Sequence, residues 1–279
     1  MKILHREWFN VTRSDVWTLY PLGDVHLGNE ACDESLFRAT VKRIADDDRA
    51  LWGGVGDYCE LVNLSDPRFD VASLASWVKM QHMADLAKAQ RDRFIDAVRP
   101  IAGKCLGLIE GNHERAIKKH YERDIYADIV TGVKDAGGFP ADHNLAFGYS
   151  GWLMLHFYRA ENRTRGTLLK LNLHHGFVGG KLAGAKALNM QRWLWTHAAD
   201  LVLFGHSHAS QVQVEAVETV RGSKIVREHR IGMSCGSFMS NAGYAEVKGY
   251  FPLPVTTSHI ILQPGANAQR DRIKVVTNA

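Results

Sequence analysis

The chain has 279 residues, 46% apolar and 23% charged, with 34 basic against 30 acidic side chains and a net charge of +4. That balance excludes a disordered, fibrous or low-complexity chain, and no apolar run approaches the roughly 18–20 residues that span a bilayer. The first ten residues carry charges and no continuous apolar core, which speaks against a secretory leader. Four cysteines without a C-x-x-C pair suit a reduced, cytoplasmic setting better than a zinc ribbon or a disulfide framework.

In chain order, residues 17–22 (WTLYPL) are the first short apolar run, ending in Gly23-Asp24. Asp33 then caps a predicted helix with Leu36, Phe37, Val41 and Ile44 on one face. Residues 51–55 (LWGGV) run into Gly56-Asp57. Beyond a polar stretch at 58–73, apolar residues from Trp77 to Val98 recur at helical spacing up to Pro100. Residues 105–109 (CLGLI) lead to Glu110 and then Gly111-Asn112-His113. Residues 168–173 (LLKLNL) end in His174-His175-Gly176, and Gly179-Gly180 beyond them read as a turn. Residues 182–197 form a helical candidate, and 201–204 (LVLF) end in Gly205-His206-Ser207-His208. From 223 onward the chain reads as β, with candidate strands at 225–233, 258–263 and 272–277; 244–255 reads as an interface or as plain core.

Short buried strands alternating with helices predict an α/β fold. With no repeat and no linker, a single domain over 1–279 is expected, with insertions at about 58–100 and 134–166. In such folds ligands bind outside the carboxyl ends of the strands, and each polar ending above sits at one. Together those ends supply Asp24, His26, Asp57, Asn112, His113, His175, His206 and His208. Mixed oxygen and nitrogen donors without thiolate suit Mn, Fe, Zn, Ni or Co. Seven of these residues suffice for two ions if a carboxylate bridges them, and two ions about 3.5–4 Å apart are a common clamp for displacement at phosphorus.

The series Asp24-x-His26, Gly56-Asp57, Gly111-Asn112-His113-Glu114, His175-Gly176 and Gly205-His206-x-His208 resembles the calcineurin-like metallophosphoesterases, with all five blocks in family order. The resemblance implies two β-sheets packed as a sandwich flanked by helices, a four-layer α-β-β-α fold. It implies one metal on Asp24, His26 and His208, a second on Asn112, His175 and His206, and Asp57 as the bridge. His113 is implied as general acid or transition-state stabiliser. The cofactors are then two divalent ions, manganese first, and the reaction is phosphoester hydrolysis by a metal-bridging hydroxide.

In the protein-phosphatase branch the bridging Asp opens G-D-x-x-D-R-G; here the run is Gly56-Asp57-Tyr58-Cys59-Glu60-Leu61. Glu60 can stand in for the Asp that orients the catalytic His, and Leu61 replaces the arginine that grips a phosphomonoester. The pattern is more similar to the phosphodiesterase and nuclease branches and to phage and bacterial members. The expected partner is a phosphoester substrate such as DNA, RNA or a nucleotide, with no membrane role. A phosphomonoesterase for a small molecule or protein, and a non-catalytic binding module, are the rival readings. Arg115, Lys118 and Lys119, with Arg123 beyond them, are either a solvated helix face or a rim that tracks phosphates. Arg159, Arg163, Arg165 and Lys170 read first as a charged hairpin, and Tyr58, Phe69, Phe139 and Tyr149 are candidates to stack bases.

Overall fold

The computed structural model describes residues 1–62, 64, 66, 69–176, 182–240 and 253–278. Gly179-Gly180 and most of 244–255 lie outside the described residues. Each apolar run is a strand: β2 (Trp17–Gly23), β3 (Ala50–Gly56), β4 (Cys105–Ile109), β7 (Gly166–His174) and β8 (Leu201–Phe204). They are joined by β1 (Lys2–Trp8), β5 (Ala146–Gly148), β6 (Ser150–Tyr158), β9 (Ser210–Arg221), β10 (Lys224–Cys235), β11 (Thr257–Leu262) and β12 (Ile273–Asn278). Two six-stranded mixed sheets result, in the orders β1-β6-β7-β8-β10-β9 and β12-β11-β2-β3-β4-β5.

Period-two alternation divides the central strands between two cores. On β3, Leu51 and Val55 face the opposite sheet, where they meet Leu153, Leu155, Leu171 and Leu203, while Trp52 faces outward. Three helices cover that outer face: α1 (Glu34–Asp46), α2 (Leu86–Val98) and α4 (Ile125–Ala136). Phe37, Phe94 and Ile129 are fully buried there. The other sheet is covered by α5 (Ala183–Thr196) through Met190 and Leu194. The order of layers is therefore helix, sheet, sheet, helix, as the family resemblance implies.

Asp33 caps α1, its carboxylate accepting from the Leu36 amide at 2.8 Å. The helical spacing from Trp77 to Val98 resolves into a 3₁₀ segment, Met80–Asp85, and then α2, because the Asp85 carboxylate accepts from the Lys88 amide and starts a new helix. Residues 134–166, read as an insertion, contain β5 and β6, and β6 pairs with both β1 and β7 over its length. Much of that stretch is thus a structural part of the sheet. Among the described residues no helix is long and apolar enough to cross a membrane.

Candidate metal centre

β2, β3 and β4 run parallel, as do β7 and β8, so five carboxyl ends open toward one end of the sandwich. The backbone ties the loops beyond them together. Asp24 N–H donates to Gly56 O at 2.9 Å, Val25 N–H to Asp57 O at 2.9 Å, and Leu27 N–H to Tyr58 O at 3.1 Å. The Asp24 carboxylate accepts from the His206 amide at 2.8 Å, joining the two sheets' loops. Asp24, His26, Asp57, His206 and His208 all have positive φ, between 47° and 63°. For residues other than glycine this costs about 1 kcal/mol or more each, and such strain clusters where side chains are held for function.

Side chains converge in sets. Asp24, His26 and His208 form one, Asp57, His175 and His206 a second, and His26 also lies within metal-holding distance of Glu60 and His113. Asn112, the first residue of α3 (Asn112–Tyr121), joins the second: its Oδ1 lies 2.8 Å from His175 Nε2 and 2.7 Å from His206 Nδ1. Asp57 Oδ2 stands between the sets, 3.2 Å from His175 Nε2 and 3.9 Å from His26 Nε2. Asp24, His26, Asp57 and His175 are fully or almost fully buried, and His206 and His208 are half-buried.

Hydrogen bonding fixes which imidazole nitrogens face inward. His26 Nδ1 donates to Glu60 Oε2 at 2.9 Å, so in the neutral ring Nε2 is the unprotonated atom, 3.0 Å from His208 Nε2. His175 Nδ1 donates to Val55 O at 2.7 Å, which turns its Nε2 lone pair on Asn112 Oδ1 and Asp57 Oδ2. At the neutral His175 ring, acceptor thus faces acceptor across short gaps, an arrangement that calls for positive charge. Oxygen and imidazole donors of this kind fit divalent cations of the Mn–Zn series.

Titration expresses the same demand. Burial opposes the charged form of His26, but the bond to Glu60 and the nearby carboxylates outweigh it and raise its pKa to about 9. His175 rises to about 10, with Asp57 as the main opponent of burial. Burial raises Asp24 to about 7, whereas the charges of His175, His113 and His26 overcome burial at Asp57 and hold it well below the usual range. Burial, then the charge of His175, lowers His206 to about 4; burial, then His26, drives His208 well below its ordinary value. Two imidazoles therefore take up protons where cations would otherwise sit, so metal binding and proton release are coupled.

His113 follows Asn112 in the first turn of α3. Its amide donates to Asp57 Oδ1 at 2.9 Å, and its Nδ1 donates to the Glu60 carbonyl, leaving Nε2 free. Its ring meets His26 edge to face at 4.7 Å. Glu60 thus acts twice, but its carboxylate serves His26 and only its backbone oxygen serves His113. Leu61 is buried, its amide bonded to Gln90 Oε1 at 2.8 Å.

Of the basic residues after the GNHE block, Lys118 is paired with Asp124 at 2.5 Å and Arg123 with Asp85 at 2.6 Å, while Lys119 is exposed. Arg115 stands over the Tyr149 ring at 5.3 Å, and that ring meets His175 at 5.6 Å, so Arg115 borders the second set. The other basic stretch is elsewhere. Arg159, Arg163 and Arg165 flank the far end of β6 and β7, nine residues of strand, or roughly 30 Å, from His175. Tyr58 is fully buried, its hydroxyl donating to Ile109 O, and Phe139 is stacked on His143. Neither offers a free face to a base.

Glu114 has a part that its place in the motif does not reveal. It is fully buried and accepts from the amides of Gly111 at 3.0 Å, Asp57 at 3.0 Å and Tyr58 at 2.9 Å. It holds the Asp57 and Asn112 loops in register. The available signal is its position three residues after the helix N-cap, where a glutamate bonds back to the cap amide. His174 turns away from the site: its Nδ1 accepts from the Gly176 amide and its ring packs on Trp193.

No family model and no curated protein matches the chain. Solved structures similar to it include a predicted phosphoesterase from Streptococcus pneumoniae TIGR4, with 10% identity over 95% of this chain and 99% of that one and a TM-score of 0.35. Zinc-complexed Vps29 from Entamoeba histolytica has 10% identity over 94% and 98%, with a TM-score of 0.38. A metallophosphoesterase from Sphaerobacter thermophilus has 11% identity over 95% and 89%, with a TM-score of 0.39.

Proposed function

We propose that the chain is a metal-dependent phosphoester hydrolase with a phosphodiester, in nucleic acid or a nucleotide, as its substrate. The observation that carries this reading is the pair of ligand sets on either side of Asp57, with imidazole nitrogens and carboxylate and amide oxygens converging at 2.7–3.9 Å. Asp24, His26 and His208 would hold one divalent cation, and Asn112, His175 and His206 the other, with Asp57 shared. Cations bound there would supply Lewis acidity and a water acidified toward neutral pKa. The chain's own contribution is positional. Glu60 fixes His26 and, through its carbonyl, holds His113 Nδ1–H, so His113 Nε2 takes up a proton to form the imidazolium and would pass that proton to a leaving oxygen.

The diester preference is supported by Leu61, which is buried where the phosphatase branch places an arginine, and by the small cationic rim, whose nearest member is Arg115. The test is hydrolysis of bis(p-nitrophenyl) phosphate against p-nitrophenyl phosphate after loading with Mn, Fe, Co, Ni, Zn or Mg. Metal-dependent turnover with the diester preferred is expected. Asp57→Asn should abolish it, and His113→Ala should lower it by about 10²–10⁴-fold, with the fold retained in both. A strong monoester preference would overturn the substrate assignment, and full activity in Asp57→Asn would overturn the mechanism.

A further inference from the structure

β9 and β10 form a hairpin paired over twelve residues, but β8 pairs with β10 only from Ile231 to Ser234. At its base the hairpin is held on both faces. Gln191 and Leu194 of α5 bond Glu215 and Arg230, and the Gln269 side chain bonds the backbone of His229. Beyond Ala216 and His229 it projects as a two-stranded arm, an arrangement of marginal stability in water unless something packs on it. Its ion pairs, Arg221 with Glu228 and Arg227 with Glu218, are internal, so it offers little free charge. One face carries two exposed apolar patches, Val212 and Val214 at the base, 43% and 59% exposed, and Val220 and Ile225 at the tip, 70% and 72% exposed, with the exposed Glu218–Arg227 pair between them. Beside the base lies a cleft of about 320 Å³, its floor lined by Val212, Val214, Ile231, Ile273 and Val275 and its rim by His229, Arg270 and Asp271. β9 is also a sheet edge, with no strand beyond it among the described residues.

We propose that this arm is a dimerisation element and that its occupant is the β9 edge of a second copy of the chain. Two antiparallel copies of β9 related by a two-fold axis normal to the sheet bring residues of the same face together. An axis at Glu215 or Glu218 would oppose like charges and is disfavoured. Between them, an axis at Ala216 sets Val212 opposite Val220 of the second copy, and an axis at Val217 sets Val214 opposite Val220. In both registers each arm's apolar tip lies along the other's apolar base and its cleft, which is the self-complementarity a two-fold interface requires. The edge amides and carbonyls are satisfied in the same step.

Sedimentation of the full chain at tens of micromolar tests this without reference to activity. The expected mass is twice the 31.2 kDa of one chain. Val220→Lys combined with Ile225→Lys should give single chains that keep the wild-type circular-dichroism spectrum at room temperature, since both residues are exposed in one chain, with a melting midpoint lowered by the lost association. Oxidation of Ala216→Cys or Val217→Cys should cross-link two chains through the introduced thiol, with the oxidised wild type as control for the native cysteines. A single-chain mass for the wild type overturns the proposal, as does a dimer that survives the double substitution or one that neither cysteine cross-links.

Discussion

At the scale of single residues, the site depends on which atom of each side chain is committed elsewhere. His26 and His175 have similar rings, yet one gives its Nδ1 proton to a carboxylate and the other to a backbone carbonyl. A carboxylate behind a metal-bound imidazole raises the ring's basicity, and loss of such a partner typically costs 10–100-fold in metal affinity. Glu60→Gln retains an oxygen to accept from His26 Nδ1 but removes the charge. Calorimetric titration with Mn²⁺ should show one of two sites weakened by about 10–100-fold, and the metal-free protein should melt at a lower temperature near neutral pH, because the charge that favours protonated His26 is gone. Two sites of unaltered affinity would remove the special part given to Glu60. Five of the ligand candidates also have left-handed backbones, a property of the folded loops that residue identity alone does not report.

At the scale of elements, the legible parts were those where apolar content and burial coincide. β3 and β8 are buried at every position and are bounded by glycine and polar residues, so each stands out as a short apolar run. β9 was not read as a strand because its alternation is inverted: Val212, Val214 and Val220 face outward while Gln213 and Glu215 face α5, so its apolar set marks no core. The five blocks of the site were legible because each follows such a run. The loop-to-loop bonds that bring them together were not, since Glu114 acts on amides 55–57 positions away. The closeness of those loops predicts a contrast between two glycines. A Cβ at Gly111 would lie 2.1 Å from the Asp57 amide nitrogen and 2.2 Å from its Oδ1, both parts of a fixed loop. At Gly184, inside α5, a Cβ meets nothing within 4 Å. Gly111→Ala should therefore destabilise by about 1–3 kcal/mol in a urea melt and weaken metal binding, as overpacking does. Gly184→Ala, in the first turn of α5, should be neutral or stabilising by about 0.4–1 kcal/mol, because alanine lowers the conformational entropy of the unfolded chain. Equal effects at the two positions would mean that the Gly111 loop relaxes freely and does not constrain the site.

At the scale of the whole molecule, the candidate ligands are divided between the two sheets. Asp24, His26, Asp57 and Asn112 follow β2, β3 and β4, whereas His175, His206 and His208 follow β7 and β8 of the opposite sheet. Each ligand set takes residues from both. Cations bound there would tie the carboxyl ends of the sheets together, and an unfolded chain cannot offer the same donors at once, so binding energy becomes folding energy. With free metal at about 100 times the dissociation constant, linkage adds about 2.7 kcal/mol for each filled site. For a chain of this size that corresponds to a rise of roughly 5–10 °C in the unfolding midpoint per site, and about twice that with both filled. Calorimetric scans with Mn²⁺ and with excess chelator should differ by that amount. Asp57→Asn should remove most of the difference, because the residue shared by both sets loses its charge, whereas Lys119→Ala, on the exposed side of α3, should leave it intact. A metal-induced rise that persists in Asp57→Asn would locate binding at surface carboxylates and separate the stability of the fold from the ligand sets at its open end.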